Sequence, residues 1–397
     1  MADLQHLMRP GTLQLPALPP LALYVHLPWC LRKCPYCDFN SHEVKDGALA
    51  TDTAQAYLAA LRADLEAALP LVWGRPVVSI FIGGGTPSLF DPEQIGQLIS
   101  DLRARLPLEP GCEITLEANP GTFERERFKG FRQAGVTRLS VGVQSFDDAQ
   151  LKKLGRVHSA GQAREALTEA AAAFDTFNLD LMYALPGQTL DELARELDTA
   201  LSFQPPHLSI YHLTIEPNTV FATRTPAGLP DADLASDMLD LITERTGARG
   251  LARYEVSAYA RDGHRCTHNL NYWQFGDYLG IGAGAHSKIS FPNRVLRQVR
   301  WREPAAFMTQ ALAGQAVSNE HEVARKELPF EFMLNALRLK QGVTLTQYLE
   351  RTGLPLSAIA AGLATARGRG LLTDDPARIQ PTERGFDFLS DLQQLFL

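Results

Sequence analysis

Along the first half of the chain, short and nearly continuous apolar runs alternate with segments whose leucines recur at helical spacing. Leu21-Ala-Leu-Tyr-Val-His-Leu27 and Val77-Val-Ser-Ile-Phe-Ile82 read as strands, as do Cys112 to Glu117, Arg138 to Val143, Phe177 to Met182 and Leu208 to Leu213. Strands this apolar on both faces fit a parallel sheet covered from either side. Between them, Leu58, Leu61, Leu65 and Leu69 make one helical stripe, and Leu193, Leu197 and Leu201 make another. The second opens on Thr189-Leu-Asp-Glu192, a capping-box pattern that marks a helix start. Repeated strand–helix units with right-handed crossovers imply a parallel sheet or barrel. The units number six by Thr214, so the α/β pattern predicts an incomplete (β/α)6 barrel rather than a closed eight-stranded one. Functional residues should then lie at the C-terminal ends of the strands.

Beyond Glu216 the rhythm changes. A helix is expected over Asp231 to Thr246, followed by a Gly- and aromatic-rich stretch from Tyr254 to His286. Near Pro304 the composition turns to helix formers. From Glu327 to Leu397 the chain reads as helices, a short Arg378-Ile379-Gln380 strand and a closing helix, the order of a small winged-helix unit. The expected division is a Pro-rich lead-in over 1–20, the barrel with its extension over 21–303, and a mainly helical C-terminal domain over 304–397.

At 397 residues and 45% hydrophobic composition, the chain can bury its core without a metal or disulfide staple. Its formal net charge of −7 argues against a nucleic-acid binder that relies on bulk charge. No apolar run approaches ~18 residues, so no membrane-spanning helix is expected. The start of the chain, with Asp3, a lone Arg9 and Pro10, Pro16, Pro19 and Pro20, does not read as a secretion signal. The expected location is the cytoplasm.

Five cysteines are present, and three of them cluster at Cys30, Cys34 and Cys37. Clustering in an intracellular chain points to metal or redox chemistry rather than disulfides. They follow the first strand in Tyr24-Val-His-Leu-Pro-Trp-Cys-Leu-Arg-Lys-Cys-Pro-Tyr-Cys-Asp-Phe-Asn40. Thiolates at this C-x3-C-x2-C spacing can hold three irons of a [4Fe–4S] cube and leave the fourth open to a chelating ligand. Two alternatives compete. Zinc prefers paired C-x2-C knuckles with a fourth Cys or His. A glutaredoxin-like dithiol at Cys34-Pro-Tyr-Cys37 needs a helix N-terminus at its first cysteine, where Asp38 to His42 reads as a turn, and it leaves Cys30 unexplained. Cys112 and Cys266 are isolated and read as small buried hydrophobes.

This cysteine spacing, the preceding Tyr24-Val-His-Leu-Pro and the six-unit pattern resemble the radical S-adenosylmethionine (SAM) superfamily. The likeness is to its HemN-like branch, on the side of the heme chaperones, and runs from about Leu21 to the C-terminus. It implies a partial barrel, a [4Fe–4S] cluster on Cys30, Cys34 and Cys37, and SAM chelating the open iron, where an electron can cleave it to a 5′-deoxyadenosyl radical. Gly83-Gly-Gly-Thr-Pro87 follows the second strand; its glycines let the backbone approach a ligand closely. By the resemblance, Gly84, Gly85 and Thr86 bind the methionyl amino group, and Glu117 also contacts the cofactor. Gln144, Arg156 and Asp180 match contacts to a second SAM, and Tyr24 and Tyr36 match positions flanking the cofactor. One departure separates members of the branch. The coproporphyrinogen-oxidising enzymes carry a fourth cysteine two residues after the third, where this chain has Phe39, and they have a longer N-terminal region.

The stretch His268-Asn-Leu-Asn-Tyr272-Trp273 matches an H-N-x-x-Y-W motif that the resemblance associates with heme. Histidine is a natural axial ligand, and Tyr272 and Trp273 can stack on a macrocycle. The motif is expected near the open barrel mouth, with His264 and His286 as reserve ligands; a histidine satisfied by backbone beside packed aromatics is the competing reading. Arg294, Arg297, Arg300 and Arg302 form the one basic run. It reads as a solvated face, a receiver of heme propionates or a site for anionic lipid. The resulting expectation is a protein that binds heme and passes it to heme-requiring proteins, respiratory membrane subunits among them, with peripheral membrane association and a homodimer left open and nucleic acid excluded. The rivals are an oxygen-independent coproporphyrinogen III oxidase and a radical SAM methyltransferase of the same branch.

Overall fold

The computed structural model describes residues 13–121 and 127–397. The first twelve residues of the expected lead-in lie outside the described ones. Six parallel strands come first: β1 (Leu21–Leu27), β2 (Val77–Gly84), β3 (Leu108–Ala118), β4 (Arg138–Gln144), β5 (Phe177–Tyr183) and β6 (His207–His212). Each lies within a few residues of its expected place. They pair in that order, edge to edge. Short strands β7 (Ala252–Arg253) and β8 (Ala258–Ala260) continue antiparallel beyond β6. On the far side, β9 (Asp277–Ile281) lies parallel to β1. It is followed by antiparallel β10 (His286–Phe291), β11 (Arg294–Arg300) and β12 (Val317–Glu322). The described residues thus build one 12-stranded open sheet, ordered β12-β11-β10-β9-β1-β2-β3-β4-β5-β6-β8-β7.

Helices cover the outer face of the barrel. α1 (Thr51–Val72) buries Leu58, Leu61 and Leu65, and α2 (Pro92–Arg105) starts on a capping box from Asp91. α3 (Phe128–Ala134), α4 (Ala160–Ala173), α5 (Leu190–Ser202) and α6 (Ala232–Gly247) follow. The Thr189–Glu192 box opens α5 as the sequence pattern requires, and Leu193, Leu197 and Leu201 are buried. Outward-facing strand residues such as Leu23, Val25, Ile80, Ile82, Leu116 and Leu179 complete this core. α7 (Thr267–Trp273) precedes β9, and α8 (Pro304–Leu312) packs beside α1. Pro304 to Glu322 therefore extends the large sheet and its helical layer.

The C-terminal region is helical around its own apolar cluster, which includes Leu328, Phe332, Tyr348, Leu363 and Leu392. Its two-stranded sheet pairs Val343–Thr344 with Arg378–Ile379. Leu13 and Leu15 are buried in this same cluster, and the Leu15 N–H donates to Pro292 O at 2.9 Å, so the segment before β1 straps the C-terminal region to the turn after β10. No helix among the described residues is long and apolar enough to cross a membrane.

Candidate cofactor site

Strand alternation sends one set of side chains into the barrel: Tyr24 and His26 from β1, Phe81 and Gly83 from β2, Glu113 and Glu117 from β3, Arg138, Ser140 and Gly142 from β4, Asn178 and Asp180 from β5. The cysteine loop crosses the C-terminal ends of these strands. Cys30, Cys34 and Cys37 are all half-buried and free. Among the described residues no three His, Cys, Asp or Glu side chains converge as they would around a single ion. A cube takes each thiolate on a different iron and does not require that convergence.

The loop is fastened on both sides. His26 receives the Tyr24 hydroxyl on Nδ1 at 2.8 Å and donates from Nε2 to Asn40 O at 2.9 Å. Burial pushes its pKa down to about 4, so the ring is a neutral strut. Asn40 Nδ2 donates to Ala283 O and Arg302 O, which ties the tail of the loop to the turn after β9 and to the chain just past β11. Gly284, at φ +74°, lies where any Cβ would meet Asn40. On the other side, Phe221 N–H donates to Pro35 O, and Arg156 Nη1 lies 3.6 Å from Cys34 Sγ. Burial raises the Cys30 thiol to about 11, against a hydrogen bond from Thr86. Loading the site therefore displaces a proton from Cys30.

The glycine loop sits against these cysteines. Gly85 N–H donates to Leu27 O and Thr86 N–H to Trp29 O. A Cβ on Gly85 would fall 2.5 Å from Trp29 O, and one on Gly84, at φ +116°, 2.5 Å from the His26 ring. Glycine is required here for close approach. Gly84 N–H donates to Glu117 Oε2 at 2.9 Å. Burial raises Glu117 to about 7 and Asp180 to about 6; the Gly84 bond opposes the first, and Asn178, Ser140 and Ser209 oppose the second. Asp180 lies inside β5, with three strand residues beyond it, rather than at the strand's end. Gln144 does end β4, and it sits at φ +69°, a strained conformation for a non-glycine residue. Tyr24 stacks on Phe81 at 5.9 Å, and Tyr36 packs near Phe221 at 6.4 Å.

The donors present fit a polar amino-acid-like ligand beside a cluster. Tyr24, Glu117, Gln144, Arg156 and Asp180 are all half-buried on the barrel interior, open to a ligand without being surface groups. Buried Arg156 Nε has no partner among the described residues. That orphaned donor suits a carboxylate.

His268 does not lie at the mouth. The run from His264 to His268 crosses the N-terminal ends of the strands. Arg138 Nη2 donates to His264 O at 2.6 Å, His264 Nδ1 lies 3.2 Å from Thr176 Oγ1, and Thr267 N–H donates to Glu113 Oε1 at 2.9 Å. His268 is 7% exposed, stacks on Phe81 at 4.3 Å, and donates from Nδ1 to Glu113 Oε1 at 3.4 Å. Burial alone would raise the Glu113 carboxyl, but His268, Arg138 and the Thr267 N–H outweigh it and hold it low. The expectation failed because α7 turns back under the barrel before β9 begins. Tyr272 meets Tyr278 edge-on at 4.7 Å, and Arg338 lies over the Trp273 ring at 4.2 Å, so both aromatics serve packing here.

The basic run also disperses. Arg300 is fully buried, with Nε 3.2 Å from Asp64 Oδ1, and Arg297 donates to Tyr278 OH and to Glu331 at 2.6 Å. Only Arg294, at the start of β11, and Arg302, just past its end, are exposed. A strand turns alternate residues to opposite faces, and here both faces are covered. His286 is exposed at the start of β10. Burial lowers its pKa first, followed by the charges of Arg297 and Arg302. Sequence reasoning missed Glu113, Phe81, His26 and Asn119, because an inward-facing residue in or just beyond an apolar strand carries no mark of its partner.

Fold and site together define a radical SAM-type chain: residues 24–200 match the Radical SAM superfamily, and residues 323–388 match the HemN C-terminal domain. Over 382 residues it is 46% identical to the Heme chaperone HemW of Escherichia coli (strain K12), covering 96% of this chain and 99% of that one. Over 385 residues it is 45% identical to the Heme chaperone HemW of Haemophilus influenzae, with the same coverage. The chain belongs to the HemW family of the radical SAM superfamily. Its fold is also that of the coproporphyrinogen III oxidase HemN from Escherichia coli, at a TM-score of 0.80, 24% identity and coverage of 99% and 92% of the two chains.

Proposed function

We propose that this protein binds heme and delivers it to heme-requiring proteins, while holding a [4Fe–4S] cluster on Cys30, Cys34 and Cys37 and SAM beside it. The observation that carries this reading is the near-full-length identity to proteins named heme chaperones, in a chain whose Phe39 stands where the oxidases have a fourth cysteine. The cluster, when bound, supplies an electron to SAM. This chain's own residues do the rest. The Gly84–Thr86 loop and Glu117 receive the methionyl amino group of the first SAM, flanked by Tyr24 and Tyr36. Gln144, Arg156 and Asp180 line the adjoining space for a second SAM, where Arg156 offers its free Nε to a carboxylate.

For heme, His268 is the proposed iron contact through Nε2, since Glu113 engages Nδ1 and a carboxylate on the far nitrogen strengthens an imidazole ligand. A second reading has its own observation: His286 is exposed and lies beside Arg302, a partner for a propionate. The function itself is tested by incubating the cluster-loaded chain anaerobically with coproporphyrinogen III, SAM and reductant, then separating the porphyrins. The reading requires no protoporphyrinogen IX. Multiple-turnover decarboxylation would restore the oxidase.

A further inference from the structure

The Asn119 side chain lies just beyond β3 and belongs to none of the motifs that mark the cofactor site. Its two ends nonetheless reach two of the three cysteines. Nδ2 donates to Thr86 Oγ1 at 2.9 Å, and Thr86 in turn hydrogen-bonds Cys30. Oδ1 accepts from Arg156 Nη2 at 2.6 Å, and Nη1 of that guanidinium lies 3.6 Å from Cys34 Sγ. The backbone is pinned as well, since Asn119 N–H donates to Ser88 Oγ at 3.3 Å and Arg156 Nη2 donates to Gly142 O at 2.8 Å. Donor and acceptor assignments are mutually consistent: Arg156 can only donate, so the atom facing it is the amide oxygen, and the amine faces a hydroxyl whose proton remains for the Cys30 sulfur.

From this connectivity we infer that Asn119 is a positioning residue that ties Thr86, of the first SAM half-site, to Arg156, of the adjoining one, and through them orients the hydrogen bonds to Cys30 and Cys34. This rests on the cofactor reading above. The amide matters for both of its ends. An aspartate would keep the acceptor for Arg156 and lose the donor to Thr86; an alanine would lose both. Hydrogen bonds and nearby positive charge at cluster sulfurs raise the reduction potential. Freeing Arg156 from its anchor therefore moves the potential to more negative values.

The test uses the anaerobically reconstituted chain with its cluster, and reads the electron paramagnetic resonance of the reduced cluster with and without SAM, the SAM affinity, and the cluster midpoint potential. Asn119→Ala should weaken SAM binding at least tenfold and shift the potential negative, at parental iron and sulfide content. The potential shift of Asn119→Ala should vanish in an Arg156→Met background, and its loss of SAM affinity should not add to that of Thr86→Val. Such non-additivity is what a purely structural role would not produce. Parental SAM affinity and potential in Asn119→Ala would overturn the inference. So would effects that simply add in the two double variants. If the parent itself shows no SAM-induced spectral change, the cofactor reading falls and this inference with it.

Discussion

Glu117 and Asp180 face the same chamber with carboxyls raised by burial, to about 7 and about 6. A glutamate ordinarily titrates at 4.5, so between pH 4.5 and 7 the folded chain holds a proton that the unfolded chain releases. The stability from Glu117 is therefore intact below about pH 4.5 and is lost as pH rises through 7. Glu117→Gln removes that slope. Thermal scans should show the variant melting roughly 2 °C above the parent at pH 8, with the gap closing toward pH 5. Its SAM affinity should fall, because a neutral amide offers the amino group an acceptor but no opposite charge, and the parent's affinity should weaken below pH 7. Parental SAM affinity in the variant would remove Glu117 from the site. The cysteines give a second test at this scale. Cys30→Ala, Cys34→Ala or Cys37→Ala should each abolish the iron and sulfide content, about four of each per chain. Cys112→Ala should not, since that thiol sits on β3, away from the cysteine loop, and hydrogen-bonds Glu113 O at 3.9 Å. The three cysteines and the glycine loop were legible because their chemistry depends on spacing along the chain. Glu113 and Asn119 were not, because their partners lie 155 and 37 residues away.

Among the elements, the six parallel strands and their helices were readable from apolar runs and capping boxes. The extension β9–β12 was not. Its strands carry Asp277, Lys288 and Arg300, which break the apolar pattern, and each is buried against a partner in space. Lys288 Nζ meets Asp277 Oδ1 at 3.0 Å, and Arg300 meets Asp64 of α1. Removing one member of such a pair leaves the other as an uncompensated buried charge. Arg300→Met should cost about 3–5 kcal/mol in denaturant unfolding, and Asp64→Leu with Arg300→Met should recover much of that loss. Additive losses in the double variant would show that the two groups are not coupled. The glycine loop makes a local prediction of the same kind. Gly84→Ala should lose SAM binding and melt below the parent, since its φ is +116° and its Cβ would meet His26. Gly247→Ala, which meets nothing within 4 Å, is the control and should change neither.

At the scale of the whole molecule, the barrel has two unlike ends. One carries the cysteine loop, the glycine loop and half-buried carboxylates; the other is closed by α7 through Glu113, Arg138 and His268. The sequence marks His268, Tyr272 and Trp273 as neighbours along the chain, but not which end of the barrel they occupy, because that depends on where the chain turns before β9. Phe39, 60% exposed, stands on this loop where the oxidases have a fourth cysteine, so the loop carries three thiols. The account therefore stands on heme as cargo. Its most direct test is an anaerobic titration of hemin into the cluster-loaded chain, read at the Soret band. A saturable one-to-one shift is predicted, altered in His268→Ala at unchanged iron and sulfide content of the cluster. A shift lost instead in His286→Ala would move the contact to the mouth, and the absence of any saturable shift in the parent chain would contradict the account.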